Sequence, residues 1–235
     1  MTLILGTPLS DNLAGLAEND EIYGLDGNDT LQGLAGDDTV NGNQGQDFVY
    51  GNSGNDLLFG GKGDDRLIEE SGTNQLFGNL GLDYLVGGVN NDSLFGGQDM
   101  DLLSGGEGND YVSGDLGDDY ISGVNVNAAN PGSGEIDTLV GGVGLDAFYI
   151  GVSNSPTYYS SGGLTDFALI NDFTIGEDYF AYKTGDVITF NDLTLPGYGT
   201  GAGIYVTQSG QQELIAFLPG IQANQLSLTL DFTPI

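Results

Sequence analysis

The sequence predicts an all-β fold, a solenoid of short parallel strands followed by a C-terminal β-rich capping region. Three observations predict it. A nine-residue period runs from Gly6 to Tyr149 without insertion or deletion, three columns within that period hold one residue type each, and after residue 149 the period gives way to strand-like runs between polar turns. The predicted organisation is a lead-in at 1–5, sixteen repeats at 6–149 and a cap at 150–235.

Cut in nines, the chain reads GLDGNDTLQ at 24–32, GGKGDDRLI at 60–68, GGEGNDYVS at 105–113 and GDLGDDYIS at 114–122. The first position is Gly in every block but that of Glu69. The sixth is Asp except at Asn74 and Ala128, and the eighth is Leu, Ile, Val or Phe except at Asn130. Six Gly-rich residues make a sharp turn, and the next three, with an apolar residue between two outward ones, make a short strand. Two such units close a flat coil of eighteen residues. Eight coils stacked at about 4.8 Å give a rod of roughly 38 Å in which two parallel sheets meet. Leu31, Val40, Val49, Leu58, Leu67, Leu76, Leu85, Leu94, Leu103, Val112 and Ile121 are the predicted core.

Composition restricts the function. The chain has 34 acidic residues against 3 basic ones, a formal net charge of −31, and neither Cys, His nor Trp. Lys62, Arg66 and Lys183 are too few cations to hold nucleic acid or an anionic membrane. MTLILG at the start lacks the basic and apolar regions of a signal peptide, and no transmembrane segment is expected.

Turns on one side of the rod bring aspartates eighteen residues apart to within about 5 Å, where two charges repel by about 0.8 kcal/mol even in water. The stack therefore calls for a cation. Calcium is hard, accepts six to eight oxygens and tolerates mixed carbonyl and carboxylate ligands, whereas magnesium demands a stricter octahedron and zinc lacks its nitrogen and sulfur ligands here.

GGKGDDRLI, GGEGNDYVS and GGVGLDAFY resemble the hemolysin-type calcium-binding nonapeptide of the RTX family, and the resemblance covers residues 6–149. It implies a right-handed parallel β-roll with calcium held between same-side turns. One turn lends carbonyls at its first and third positions, the next lends those at its second and fourth, and both lend the sixth-position Asp. The pair Gly24 to Asp29 and Gly42 to Asp47 is one such implied site. GTPLSD, GLAEND, EESGTN, GVNVNA and GSGEID depart from the motif.

Counted along the coil, one edge runs Asp11, Asp29, Asp47, Asp65, Asp83, Asp101, Asp119, Asp137. The other runs Asp20, Asp38, Asp56, Asn74, Asp92, Asp110, Ala128, Asp146. The implied carbonyl ligands include Gly24, Gly27, Gly42, Gly45, Gly60, Gly63, Gly78, Gly81, Gly96, Gly114 and Gly117 on the first edge, and Gly33, Gly36, Gly51, Gly54, Gly105 and Gly108 on the second. Of fourteen inter-turn positions the two defective turns remove four, which leaves about ten calcium ions. Asn74 still offers one neutral oxygen, so its positions are expected to be weakened or hydrated. Block 123–131, which loses both its Asp and its core residue, is expected to leave the regular roll.

In the tail, strands are predicted at 167–170, 179–182, 187–190, 204–207, 214–218 and 226–230, with a hairpin turn at Gln208 to Gln211. GYGTGAG at 197–203 lacks the Lys and helix of a phosphate loop and reads as a mobile loop. The tail is similar to those that follow RTX repeats in bacterial, notably cyanobacterial, secreted proteins, and its ending LDFTPI is compatible with a type I secretion signal. Phe59, Phe77 and Phe95 recur at an outward position, and Phe48, Tyr50, Tyr84, Val86, Leu102 and Tyr120 line the opposite outer face. They read either as strand formers covered by the C-terminal segment or as a surface for self-association or a ligand.

The chain is not expected to be an enzyme. Asp166, Asp172, Glu177, Asp178, Asp186, Asp192, Glu213 and Asp231 show no catalytic spacing, and only five residues precede the repeats, where related secreted proteins carry a catalytic domain. The leading expectation is a secreted calcium-binding structural protein of the cell surface or matrix. Its alternatives are a calcium-dependent module for carbohydrate, such as an acidic extracellular polysaccharide, and a secreted hydrolase using carboxylates.

Overall fold

The structure is a computed structural model that describes residues 1–124, 134–150, 167–182, 187–208, 211–227 and 232–234. Alternate strands pair in parallel, as in Leu58↔Leu76 and Leu85↔Leu103, and build a twelve-stranded and a ten-stranded sheet. Together they form a β-solenoid of about seven turns. All eleven predicted core residues are buried between the sheets, at no more than 3% exposure. Residues Thr2–Leu5 already join this pattern, pairing in parallel with Asp20–Asp26.

The strands are longer than the three residues expected. Thr39–Gln44, Leu57–Lys62 and Gln75–Leu80 each run from the seventh position of one block to the third of the next. Pairing continues across the second position, as in Asn43↔Gly61, although the chain there is left-handed. The sharp turn is left to positions four to six. At the fourth position Gly63 has φ 117, and a Cβ on it would strike the carbonyl of Gly45 one coil back. Leu25 and Leu34, at the second position, take φ of 81 and 82, a conformation costing an L residue about 1 kcal/mol.

One correction concerns the register. Partners are eighteen residues apart as far as Gly106 and Val124. The next pairs are Tyr111↔Thr138 and Tyr120↔Ala147, twenty-seven apart. Three nonapeptides separate these partners instead of two, so the predicted eight coils reduce to about seven. Residues 125–133, most of the block expected to leave the roll, lie outside the described residues.

In the tail, Phe167–Ile170 and Tyr179–Tyr182 fall where predicted and add in parallel to the two sheets. Gln211–Pro219 follows beside Phe167–Ile170, then Gly199–Gln208 and Val187–Leu195 turn the first sheet antiparallel. The predicted hairpin closes at Gln208↔Gln211. One expectation fails, and another lies partly outside the described residues. GYGTGAG is not a mobile loop, because Gly199 onward is strand. The glycines serve close approach: a Cβ on Gly201 would collide with the Leu218 carbonyl, and one on Gly203 would lie 2.8 Å from the Tyr205 ring. The predicted strand at 226–230 instead starts at the C-cap of a 3-10 turn, Ala223–Gln225, and residues 228–231 are outside the described residues. Phe59, Phe77 and Phe95 stack at 5.2 and 5.0 Å on the outer face, while the described C-terminal strands prolong the sheets at their ends.

Candidate metal centre

The two oxygens of each sixth-position aspartate have different surroundings. From Asp29 onward Oδ1 accepts the backbone N–H of the sixth-position residue one coil earlier. Asp29 N–H donates to Asp47 at 2.7 Å, Asp47 N–H to Asp65 at 2.8 Å and Asp83 N–H to Asp101 at 2.8 Å. On the other edge Asp20 N–H donates to Asp38 and Asp38 N–H to Asp56, both at 2.7 Å. This ladder fixes the carboxylates along each edge. Oδ2, by contrast, has no hydrogen-bond partner in Asp29, Asp38, Asp47, Asp56, Asp65, Asp83, Asp92, Asp101, Asp110, Asp119 and Asp146.

Each of these oxygens points at the first glycine of its own turn. The point where a Cβ on Gly24 would sit meets Asp29 Oδ2 and lies 2.8 Å from the Gly42 carbonyl oxygen one coil on. At Gly60 the same point is 2.5 Å from Asp65 Oδ2 and 2.9 Å from the Gly78 carbonyl. Gly33, Gly42, Gly96, Gly105 and Gly114 repeat the arrangement with Asp38, Asp47, Asp101, Asp110 and Asp119. The first glycine is therefore needed for room: its missing side chain leaves an oxygen-lined cradle between successive coils. Gly27, Gly36, Gly45, Gly54, Gly63, Gly81, Gly108 and Gly117 occupy the fourth position with positive φ and turn the chain between cradles.

The electrostatics are unfavourable for bare carboxylates. These aspartates are at most 2% exposed, and an ionised carboxylate buried without a partner is heavily penalised. Burial, helped by neighbouring carboxylates, pushes Asp65, Asp92 and Asp101 up to about 8 and Asp83 and Asp146 up to about 7. Asp47, Asp56 and Asp119 rise to about 6 for the same first cause. Among the described residues no three acidic side chains converge on one point, so any ion is held chiefly by backbone carbonyls with one or two carboxylates. A donor set of carbonyl and carboxylate oxygens only, with unpartnered Oδ2 atoms aimed into it, fits calcium.

The structure exchanges two aspartates between the edges. Asp110 N–H donates to Asp137 Oδ1 at 2.9 Å, and Asp119 N–H to Asp146 Oδ1 at 3.0 Å. Asp137 therefore follows Asp110, not Asp119, and Asp146 follows Asp119 rather than Ala128. The added nonapeptide between partners is the cause. At the start of the roll the carboxylates are already satisfied. Asp11 Oδ2 accepts the Thr7 N–H and hydroxyl at 2.6 and 2.9 Å, and Asp20 Oδ2 accepts the Leu16 N–H at 2.6 Å. GTPLSD and GLAEND thus close on themselves.

Sequence reasoning noted Asp178 among the tail acids but missed its place in a carboxylate row. It continues the Asp119 and Asp146 edge, accepting the Asp146 N–H on Oδ1 at 3.1 Å and the Thr174 N–H on Oδ2 at 2.7 Å. The signal was GEDYFA at 176–181, a variant of GDDYIS at 117–122 outside the nine-residue register. Asp172, noted in the sequence without a role, accepts the Gly141 and Gly142 N–H groups at 2.9 and 2.8 Å.

The RTX calcium-binding nonapeptide repeat matches the chain in four copies, at residues 5–40, 32–67, 70–103 and 95–125. No curated protein matches. Among solved structures the chain is similar to the extracellular lipase LipA from Serratia marcescens at 13% identity, with a TM-score of 0.29. That alignment covers 97% of this chain and 39% of the lipase chain, and a likeness so distant carries no argument about activity.

Proposed function

The chain belongs to the family of RTX calcium-binding nonapeptide repeats, and on that premise we propose that it is a secreted structural protein of the cell surface or matrix whose roll folds on extracellular calcium. One observation supports this most: a row of buried, unpartnered aspartate oxygens on each edge, each beside a carbonyl of the next coil. Such a stack is self-repelling where calcium is scarce and closes where calcium is plentiful. The chain then stays unfolded inside the cell and becomes rigid outside it. No catalytic role enters this proposal, because the acidic side chains along the roll are used in its construction. The testing experiment is fractionation of the producing cell followed by limited proteolysis. The protein is expected in the medium or surface fraction, resistant to protease in calcium and cleaved after chelation. A protease-resistant cytoplasmic pool would contradict export before folding.

One observation favours a second reading, calcium-dependent binding of carbohydrate. A groove of about 540 Å³ on the outer face is lined by Ile68, Tyr84, Val86, Leu102, Tyr120 and Tyr149, and aromatic rings flanking a groove suit sugar faces. A glycan array probed with and without calcium separates this reading from a purely structural role.

A further inference from the structure

Glu69 breaks the repeat in the same turn as Asn74. It is the one residue other than glycine at a first position among the sixteen blocks, and its turn, EESGTN, has Asn in place of the sixth-position Asp. Read separately these are two defects. Read together in space, the turn that loses an aspartate oxygen sends a carboxylate into the cradle one coil back.

Asn74 performs half of the aspartate's work. Its Oδ1 accepts the Asp56 N–H at 2.8 Å, and its own N–H donates to Asp92 Oδ1 at 2.7 Å, so the ladder runs through it unbroken. Its other terminal atom is Nδ2, a donor, which cannot ligate a cation and has no acceptor here. The lost function is therefore the second carboxylate oxygen alone. Glu69 brings a carboxylate not to that place, which lies at the first position of its own turn, but to the cradle of the coil before. Its Oε1 and the Oδ2 of Asp56 both lie within 2.5 Å of the point where a Cβ on Gly51 would sit, the cradle that elsewhere holds an aspartate oxygen and the next coil's carbonyl. Glu69 is 3% exposed, and neither of its carboxylate oxygens makes a hydrogen bond. The backbone makes room for it: the strand Arg66–Ile68 ends after three residues, where its neighbours Phe48–Ser53 and Tyr84–Val89 run for six.

We propose that Glu69 is a metal ligand, its carboxylate joining Asp56 Oδ2 in the Gly51 cradle where other cradles have the next coil's first-position carbonyl, so that the calcium site between Asp56 and Asn74 is kept. The position that sequence counting treats as weakened is a rebuilt site. This rests on the calcium reading above and adds a ligand outside the repeat's own pattern. The competing explanation is a plug, a buried glutamic acid that fills the cradle and excludes the ion.

Calcium stoichiometry of the full chain, measured by equilibrium dialysis and elemental analysis, separates the two. Glu69→Gln keeps the shape and removes the charge. It is expected to lose about one ion per chain, with circular dichroism in saturating calcium unchanged. The double variant Glu69→Gly with Asn74→Asp restores the regular motif in both cradles and is expected to bind one ion more than the parent. An ion count for Glu69→Gln equal to the parent's, or a double variant that gains two ions, would overturn the ligand assignment in favour of the plug. If Glu69→Gln fails to fold, the double variant decides alone. A parent that takes up no calcium would instead remove the calcium reading itself, and is recognisable as such before any variant is compared.

Discussion

Chelation of calcium at neutral pH is expected to unfold the roll. A ligand that binds only the folded chain at ten times its dissociation constant stabilises it by RT ln(1 + 10), about 1.4 kcal/mol per site. Eleven described aspartates offer an unpartnered Oδ2, and about ten such sites would contribute about 14 kcal/mol, as much as the whole stability of an ordinary domain. The apolar contribution is modest, because each nonapeptide adds one buried side chain to a core one layer deep from each sheet. Circular dichroism titrated with calcium should show a cooperative gain of β signal from a disordered baseline. An unchanged β signal in excess chelator would rule this out.

Protons should partly replace the missing calcium. Asp47, Asp65, Asp83 and Asp101 have folded-state values of about 6 to 8 against an ordinary 3.8, raised first by burial. For a carboxyl shifted upward, the metal-free fold is favoured below the unfolded value, and that contribution is lost as pH rises through the folded one. Chelated protein is therefore expected to gain β structure as the pH is lowered from about 8 to about 5, stopping short of the isoelectric point near 4.1. Calcium affinity has the opposite sign. It should rise across the same interval, and binding at about pH 7 should release protons into an unbuffered solution. Metal-free protein as disordered at about pH 5 as at pH 8, with no proton release on calcium addition, would show that these carboxyls are neither buried nor ligands.

The sequence reveals the repeating cross-section better than it reveals how the cross-sections connect. The eighth column predicts the core because an apolar side chain between two sheets has one place to go, and Leu31 through Ile121 are buried accordingly. The sixth column likewise predicts the carboxylate rows. Edge assignment is less legible, since the period is nine in sequence but eighteen in space. An added nonapeptide preserves the first and reverses the second, which carried Asp137 and Asp146 across. Ala128 and Asn130 marked the irregular block without revealing that exchange. Asp178 escaped because its turn is spaced by 32 residues from Asp146. Glu69 was legible only as a break, since its meaning depends on where its side chain lies relative to Asp56.

Anomalous scattering from crystals grown in calcium gives the most direct measurement. Two rows of ions are expected, one along Asp29, Asp47, Asp65, Asp83, Asp101, Asp119 and Asp146, the other along Asp38, Asp56, Asp92, Asp110 and Asp137. Each ion should lie beside an aspartate Oδ2 and the first-position carbonyl of the next coil, except that the ion beside Asp56 should be met by Glu69 in place of that carbonyl. Ions confined to exposed carboxylates such as Glu18 and Asp64, with none in the glycine cradles, would contradict the calcium-stacked roll.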